Sequence, residues 1–220
     1  MEKMADTTQS ITQYPVTVWE GIAIALGAIG LVIVALVGLG VKAVRNAVEP
    51  QRAEAIAKSL MDYQIPGGSY GVVGINIGGL KAAMVRSSSS GLGHIRDSKQ
   101  GDYSPPEVEL LLTEAPANDQ TEDDDSWEIS NDNLSSSYEP QSEFKAITSR
   151  TEIKLFCGKN ISVTIQEGTF TLTNSQFSVP AVRYDARAVF KNTQRSVELT
   201  TTGKNAKQKA VAVFNSLKCK

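Results

Sequence analysis

The hydrophobic residues of this chain follow three patterns along the sequence, and each pattern predicts a different kind of element. The first is an unbroken apolar run over residues 21–41, which contains no charged residue, no Asn or Gln and no Pro. A helix of this length rises by about 30 Å, which is the thickness of a bilayer's hydrocarbon core. The run therefore predicts one transmembrane helix within residues 16–45, preceded by a polar N-terminal tail, residues 1–15.

Two later segments have the period of an amphipathic helix. Residues 50–63 place small and apolar side chains on one face and charged side chains on the other. We expect this helix to pack on a sheet, and the alternative is a helix that lies on the membrane surface. Residues 203–217 repeat the pattern and predict a closing helix, for which Thr202 is the expected N-cap.

Most of the remaining apolar residues alternate with polar ones, which is typical of strands with one buried and one solvent-exposed face. This alternation occurs between residues 72 and 84 and in several segments after residue 144. Gly78-Gly79 predicts a tight hairpin turn, and Glu167-Gly168 predicts another turn between strands. The sequence therefore predicts an α+β domain, an antiparallel sheet with flanking helices, behind the membrane helix.

The charge distribution divides this domain into two parts. Residues 97–143 carry one Lys and fourteen Asp or Glu, a net charge of −13, whereas residues 144–220 have a net charge of +9. Residues 117–143 also contain few large apolar side chains, and their burial would not offset the entropy lost on ordering. We expect a disordered acidic insertion at residues 117–143, between a first part at residues 46–116 and a second at residues 144–220.

The basic second part supplies a candidate face for an anionic ligand. Anionic lipid headgroups and nucleic acid are the two candidate ligands, but the aromatic-and-basic motif of an RNA-binding sheet is missing, which disfavours nucleic acid. A further hypothesis is that the acidic insertion folds back over the basic part and masks it. The candidate face consists of Arg183, Arg187, Lys191, Arg195, Lys204 and Lys207.

The two cysteines bear on the compartment in which the domain lies. Cys157 ends a predicted strand and Cys219 follows the closing helix, so a disulfide or two free buried thiols are both compatible with the sequence. More Lys and Arg follow the apolar run than precede it, which predicts a cytoplasmic C-terminal domain. A Cys157–Cys219 disulfide would instead indicate an oxidising, extracytoplasmic compartment.

The sequence contains no residue pattern typical of a catalytic, cofactor or metal site. His94 is the single histidine, and Leu80 stands where a phosphate-binding loop starting at Gly74 would need lysine. We therefore predict an anchored, non-catalytic binding or assembly module with no cofactor or metal, whose partners are the bilayer and a protein in the membrane. The alternative function is an enzyme whose site is assembled from scattered residues. The oligomeric state is left open.

Two stretches resemble uncharacterised membrane-anchored bacterial proteins, several of them cyanobacterial. They are EPQRAEAIAKSLMDYQIPGG at residues 49–68 and VELTTTGKNAKQKAVAVFNSLKCK at residues 197–220. The closing strand, turn and helix also resemble the end of the PsbP-like fold. These resemblances imply a membrane anchor and an antiparallel sheet with flanking helices, and they imply no catalytic residue.

Overall fold

The computed structural model describes residues 18–88, 105–117, 142–172, 178–190 and 192–220. The chain divides into two compact units, and the boundary falls between Val44 and Arg45. Within the described residues there are three helices and nine strands. The helices are α1 (Val18–Ala47), α2 (Pro50–Leu60) and α3 (Ala206–Ser216); the strands are β1 (Met61–Asp62), β2 (Ser69–Ile77), β3 (Leu80–Ser87), β4 (Val108–Pro116), β5 (Ser142–Phe156), β6 (Lys159–Leu172), β7 (Ser178–Phe190), β8 (Thr193–Thr202) and β9 (Lys218–Cys219).

Seven of these strands form one sheet in the order β2-β3-β4-β8-β7-β6-β5, in which every neighbouring pair is antiparallel. Strands β1 and β9 pair separately, so that the residues after α2 and the residues after α3 meet. The predicted α+β class, with an antiparallel sheet and flanking helices, is confirmed.

The core lies between one face of the large sheet and the helices α2 and α3. Leu60 of α2 and Phe214 of α3 belong to the same buried cluster as Leu110, Leu199 and Tyr184 of the sheet. The rings of Tyr184 and Phe214 pack with their centroids 5.4 Å apart. We call the opposite face of the sheet the open face, because neither α2 nor α3 packs on it.

The hairpin predicted at Gly78-Gly79 is confirmed. Ile77 pairs with Leu80, and the two glycines have φ angles of 59° and 89°, which a two-residue hairpin turn requires. The turn predicted at Glu167-Gly168 is wrong, since β6 continues through both residues. Gly168 instead lies opposite a bulge of β5, where a Cβ atom would overlap the carbonyl oxygen of Lys145.

The two predicted amphipathic helices are present, with different ends. Helix α2 stops at Leu60 because the next two residues pair with β9. Helix α3 begins at Ala206, and the predicted N-cap at Thr202 is wrong because Thr202 closes β8 and donates a hydrogen bond to the carbonyl of Pro106.

Helix α1 exposes large apolar side chains along its described length, including Trp19 at 79% and Leu31 at 73% exposure. Across the described residues, we find no helix whose length and apolarity suffice to cross a membrane.

The N-terminal tail predicted at residues 1–15 lies outside the described residues. The predicted acidic insertion does so too, apart from Ala117, Ser142 and Glu143 at its ends.

Candidate functional site

The open face carries mainly polar side chains over β8, β7, β6 and β5. Directly paired residues of neighbouring strands point to the same face, so the strand registers define rows of side chains across the sheet. Most members of these rows are hydroxyl, amide or charged residues, with few large apolar ones. One row runs Arg86, Glu109, Thr200, Arg183, Gln166, Ser149; the next runs Met84, Leu111, Glu198, Asp185, Thr164, Thr151; a third begins Ala82, Thr113, Ser196, Arg187.

Arg183 is held in place at the middle of this face. Its guanidinium carbon lies 4.5 Å from the centroid of the Phe144 ring, which gives a cation–π contact. Its Nε lies 3.2 Å from a carboxylate oxygen of Glu198 and donates a hydrogen bond of 3.4 Å to Thr200 Oγ1. These contacts fix the orientation of the Arg183 side chain.

Asp185 lies beside Arg183 on the same face and directly opposite Glu198. Burial raises the pKa of Asp185, and the charge of Arg183 offsets only part of that effect. Within the described residues, no side chain forms an ion pair or a hydrogen bond with its carboxylate. The protein thus holds a half-buried carboxylate whose charge is incompletely compensated.

Arg187 follows two residues later in β7, exposed on the open face and opposite Ser196. The part of the chain that the structure describes offers it no ion-pair partner. Arg183, Asp185, Arg187 and Glu198 together form what we call the central charged group. Two cations and two carboxylates on adjacent strands can form charge-assisted hydrogen bonds with a partner that presents both signs of charge.

Of the five cations of the candidate anionic face that the structure describes, two, Arg183 and Arg187, lie together on the open face. Arg195 is paired with Ala188, a residue of the core face, so it lies on the other side of the sheet. Lys207 lies on α3, 3.2 Å from a carboxylate oxygen of Glu167. Lys204 is exposed in the turn before α3, and Lys191 lies outside the described residues.

Arg195 takes part in a separate ion-pair cluster on the core side of the sheet. Its guanidinium lies 2.7 Å from Glu114 and also donates a hydrogen bond to the carbonyl of Lys220. Burial acts to raise the pKa of Glu114, but hydrogen bonds from Lys81 and Arg195 outweigh it and lower the pKa. The cluster therefore ties Lys220 to the sheet, and its two cations, Lys81 and Arg195, are already paired with a carboxylate.

Cys157 and Cys219 are paired as a disulfide in the structure, with their Cα atoms 5.1 Å apart. Cys157 occupies the two-residue turn between β5 and β6, together with Gly158, and both have positive φ angles, 52° and 78°. A positive φ costs a residue with a side chain about 1–2 kcal/mol. Cys157 thus adopts a strained conformation in the turn, and its sulfur lies beside Cys219 on β9.

The sequence alone did not indicate Asp185, Glu198 and Phe144 as members of a site. Arg183, Asp185 and Arg187 share the alternation of one strand, which is a signal for a common face. Glu198 and Phe144 come from two other strands, and their proximity depends on the pairing order β8-β7-β6-β5, which periodicity does not encode.

No cluster of three or more His, Cys, Asp or Glu side chains suited to a metal ion occurs among the described residues. No protein-family model and no curated protein matches the chain.

Proposed function

We propose that the protein is a membrane-anchored, non-catalytic binding module whose open sheet face docks a partner protein at the membrane. The central charged group forms the middle of the docking surface. Asp185 meets a basic group of the partner, and Arg187 meets an acidic one. The observation that carries this proposal is the half-buried, incompletely compensated carboxylate of Asp185.

Asp185 supports a binding role because it reduces stability where it stands. A carboxylate that burial desolvates without a hydrogen bond or ion pair disfavours the folded state. Residues that break a local rule of stability are typical of functional sites. A basic group of a partner would compensate the charge, so that docking recovers the desolvation cost.

The anchor in this proposal is the central part of α1. The complete sequence of residues 21–41 carries no charge, including those positions whose side chains the structure does not describe. Among the described side chains of α1, ten large apolar ones are 44–79% exposed, a surface that lipid would cover. The resemblance of residues 49–68 to membrane-anchored bacterial proteins agrees with this assignment.

We place the folded domain on the oxidising, extracytoplasmic side of that membrane. Disulfides persist in oxidising compartments and are rare in the reducing cytosol, and Cys157 and Cys219 are positioned to form one. The positive charges that follow the apolar run favour the opposite orientation. We give the disulfide more weight, because the charge rule is statistical and the number of charges is small.

Binding of anionic lipid or nucleic acid through the basic second part is the weaker alternative. Arg183 and Arg187 share the open face with Asp185 and Glu198, so these four residues have no net positive charge. Arg195 and Lys207 are already paired with acidic side chains. A polyanion would therefore meet separated cations and not a continuous basic surface.

Asp185→Asn tests the docking surface by separating stability from binding. The variant should raise the free energy of unfolding by about 1 kcal/mol at pH 7, because it removes a desolvated charge. A carboxylate whose pKa is raised on folding stabilises the fold most below its ordinary pKa and loses that contribution as the pH rises through the raised pKa. The gain should thus disappear as the pH falls towards about 4. Urea unfolding at the two pH values measures it.

The same variant should lose binding. A photo-reactive residue placed at Ser196, on the open face, should form a discrete adduct in native membranes, and Asp185→Asn should abolish this adduct despite the gain in stability. Asp62→Asn is the matched control, since Asp62 is an exposed carboxylate on β1 that forms an ion pair with Lys220. An adduct of equal yield in all three proteins, or no adduct in any, would contradict the docking surface.

Leu31→Lys combined with Val34→Lys tests the anchor. Each lysine at the centre of a membrane helix costs about 2.5–3.5 kcal/mol on insertion scales, so the double variant should leave the membrane fraction. Extraction of isolated membranes with alkaline carbonate, followed by sedimentation, gives the readout. The matched variant with alanine at both positions should stay in the pellet, and extraction of the unmodified chain under these conditions would refute the anchor.

A further inference from the structure

Strand β5 forms an edge of the large sheet and leaves one side of its backbone without a neighbouring strand among the described residues. It contains 15 residues and, of the strands that the structure describes, pairs with β6 alone. Along it, Ile147, Ile153 and Leu155 are 67–72% exposed, which is unusual for large apolar side chains on a strand. A long edge with unpaired backbone groups and exposed apolar residues can pair with another strand.

We infer that this edge pairs with the β5 edge of a second copy of the chain, antiparallel and in a register centred on Thr151. In such a two-fold arrangement, each residue lies opposite the residue at the same distance on the other side of Thr151. The charges and the apolar residues of β5 select this register.

Charge complementarity favours this register. Centring on Thr151 places Arg150 of each copy opposite Glu152 of the other, which gives two oppositely charged pairs across the edge. These side chains are 40% exposed and already lie 2.8 Å apart within one chain. A register centred one residue later would instead put Glu152 opposite Glu152 and Arg150 opposite Lys154, so that like charges meet.

The apolar residues fit the same register. Thr151 and Ile153 point to the open face, because their partners in β6 are Thr164 and Ser162 on that face. Centring on Thr151 brings Leu155 of each copy to Ile147 of the other, the residue at the β5 bulge that has no partner in β6. Two of the most exposed apolar side chains of the strand then meet at both ends of the interface. Exposed apolar area on both copies is thereby removed from water.

The paired edges would join the two sheets into one. A two-fold axis perpendicular to the sheet keeps α2 and α3 of both copies on the same side, and both open faces on the other side. The dimer would therefore present two central charged groups on one continuous surface.

A single cysteine at the predicted axis tests the register in the full chain purified in detergent micelles. Thr151→Cys is the one new free thiol, since Cys157 and Cys219 are paired. A short bis-maleimide should convert most of this variant to a covalent dimer at micromolar concentration. Ser149→Cys is the matched control on the same strand face, and its two copies would be about 14 Å apart, beyond efficient cross-linking. Equal yields at the two positions, or no dimer at either, would overturn the proposal.

Charge reversal supplies a second, independent readout in the Thr151→Cys background. Arg150→Glu places like charges opposite each other and should reduce the cross-linking yield at least fivefold. Adding Glu152→Arg restores opposite charges across the edge and should restore most of the yield. A loss that the second substitution does not recover would contradict the charge pairing, provided that circular dichroism shows all variants folded.

Discussion

Gly71→Ala should lower the free energy of unfolding of the domain by about 2–3 kcal/mol, because the added methyl group has no space. A Cβ atom at Gly71 would overlap the carbonyl oxygen of Pro50, and it would lie 2.7 Å from Ala53 Cβ and from the backbone nitrogen of Glu54. These atoms belong to the first turn of α2, whose backbone moves only if the helix as a whole moves. Urea unfolding followed by circular dichroism measures the change.

Gly203→Ala is the control for the effect of alanine itself. Gly203 has a φ of 89°, and the space that a Cβ would occupy there is open, so its replacement costs only the backbone strain, about 1–2 kcal/mol. Gly74→Ala should behave like Gly71→Ala, since its Cβ would lie 2.6 Å from Ala53 Cα. If Gly71→Ala were as stable as the unmodified protein, the close packing of α2 on β2 would be refuted.

Removal of the Cys157–Cys219 disulfide should cost about 3–4 kcal/mol, since the bond closes a loop with a sequence separation of 62 residues. The cost should appear in two ways. The double variant Cys157→Ser, Cys219→Ser should unfold at lower urea concentration, and the unmodified protein should match it once a reductant is added. Unfolding curves of the unmodified protein that are identical with and without reductant would contradict the bond.

A second double variant separates the bond from the conformation of its turn. Cys157→Gly with Cys219→Ser also lacks the disulfide, but glycine adopts the positive φ of position 157 without strain. It should therefore be about 1 kcal/mol more stable than the double serine variant.

The same disulfide can be tested in intact cells. An impermeant maleimide should label Cys157 and Cys219 of the unmodified protein only after a reductant has been added.

The sequence anticipates the fold class because its hydrophobic periods are clear. Alternation in the second half of the chain and the Gly78-Gly79 turn correspond to real strands and a real hairpin. The error at Glu167-Gly168 has a physical cause. Glycine marks turns, but it also marks places where two backbones approach closely, and Gly168 serves that second purpose opposite the bulge of β5.

The candidate site was predicted only in part, because charges near one another in sequence need not share a face. Arg183 and Arg187 have the same parity in one strand and do lie together. Arg195 follows a hairpin turn and lies opposite Ala188, so its side chain points to the core face. There it forms an ion pair with Glu114. The cation–π contact between Phe144 and Arg183 joins two strands that are distant in sequence. Predicting it requires the order of the strands in the sheet, which local sequence patterns do not contain.

The pairing of β1 with β9 has a consequence for how the domain forms during synthesis. Met61 pairs with Cys219, and α3 supplies part of the core against β7 and β8. A nascent chain whose residues 206–219 are still inside the ribosome lacks both elements. The sheet would then expose the apolar face that α3 later covers. The core is therefore complete only after residues 206–219 have left the ribosome, and until then the uncovered face of the sheet can associate with other apolar surfaces.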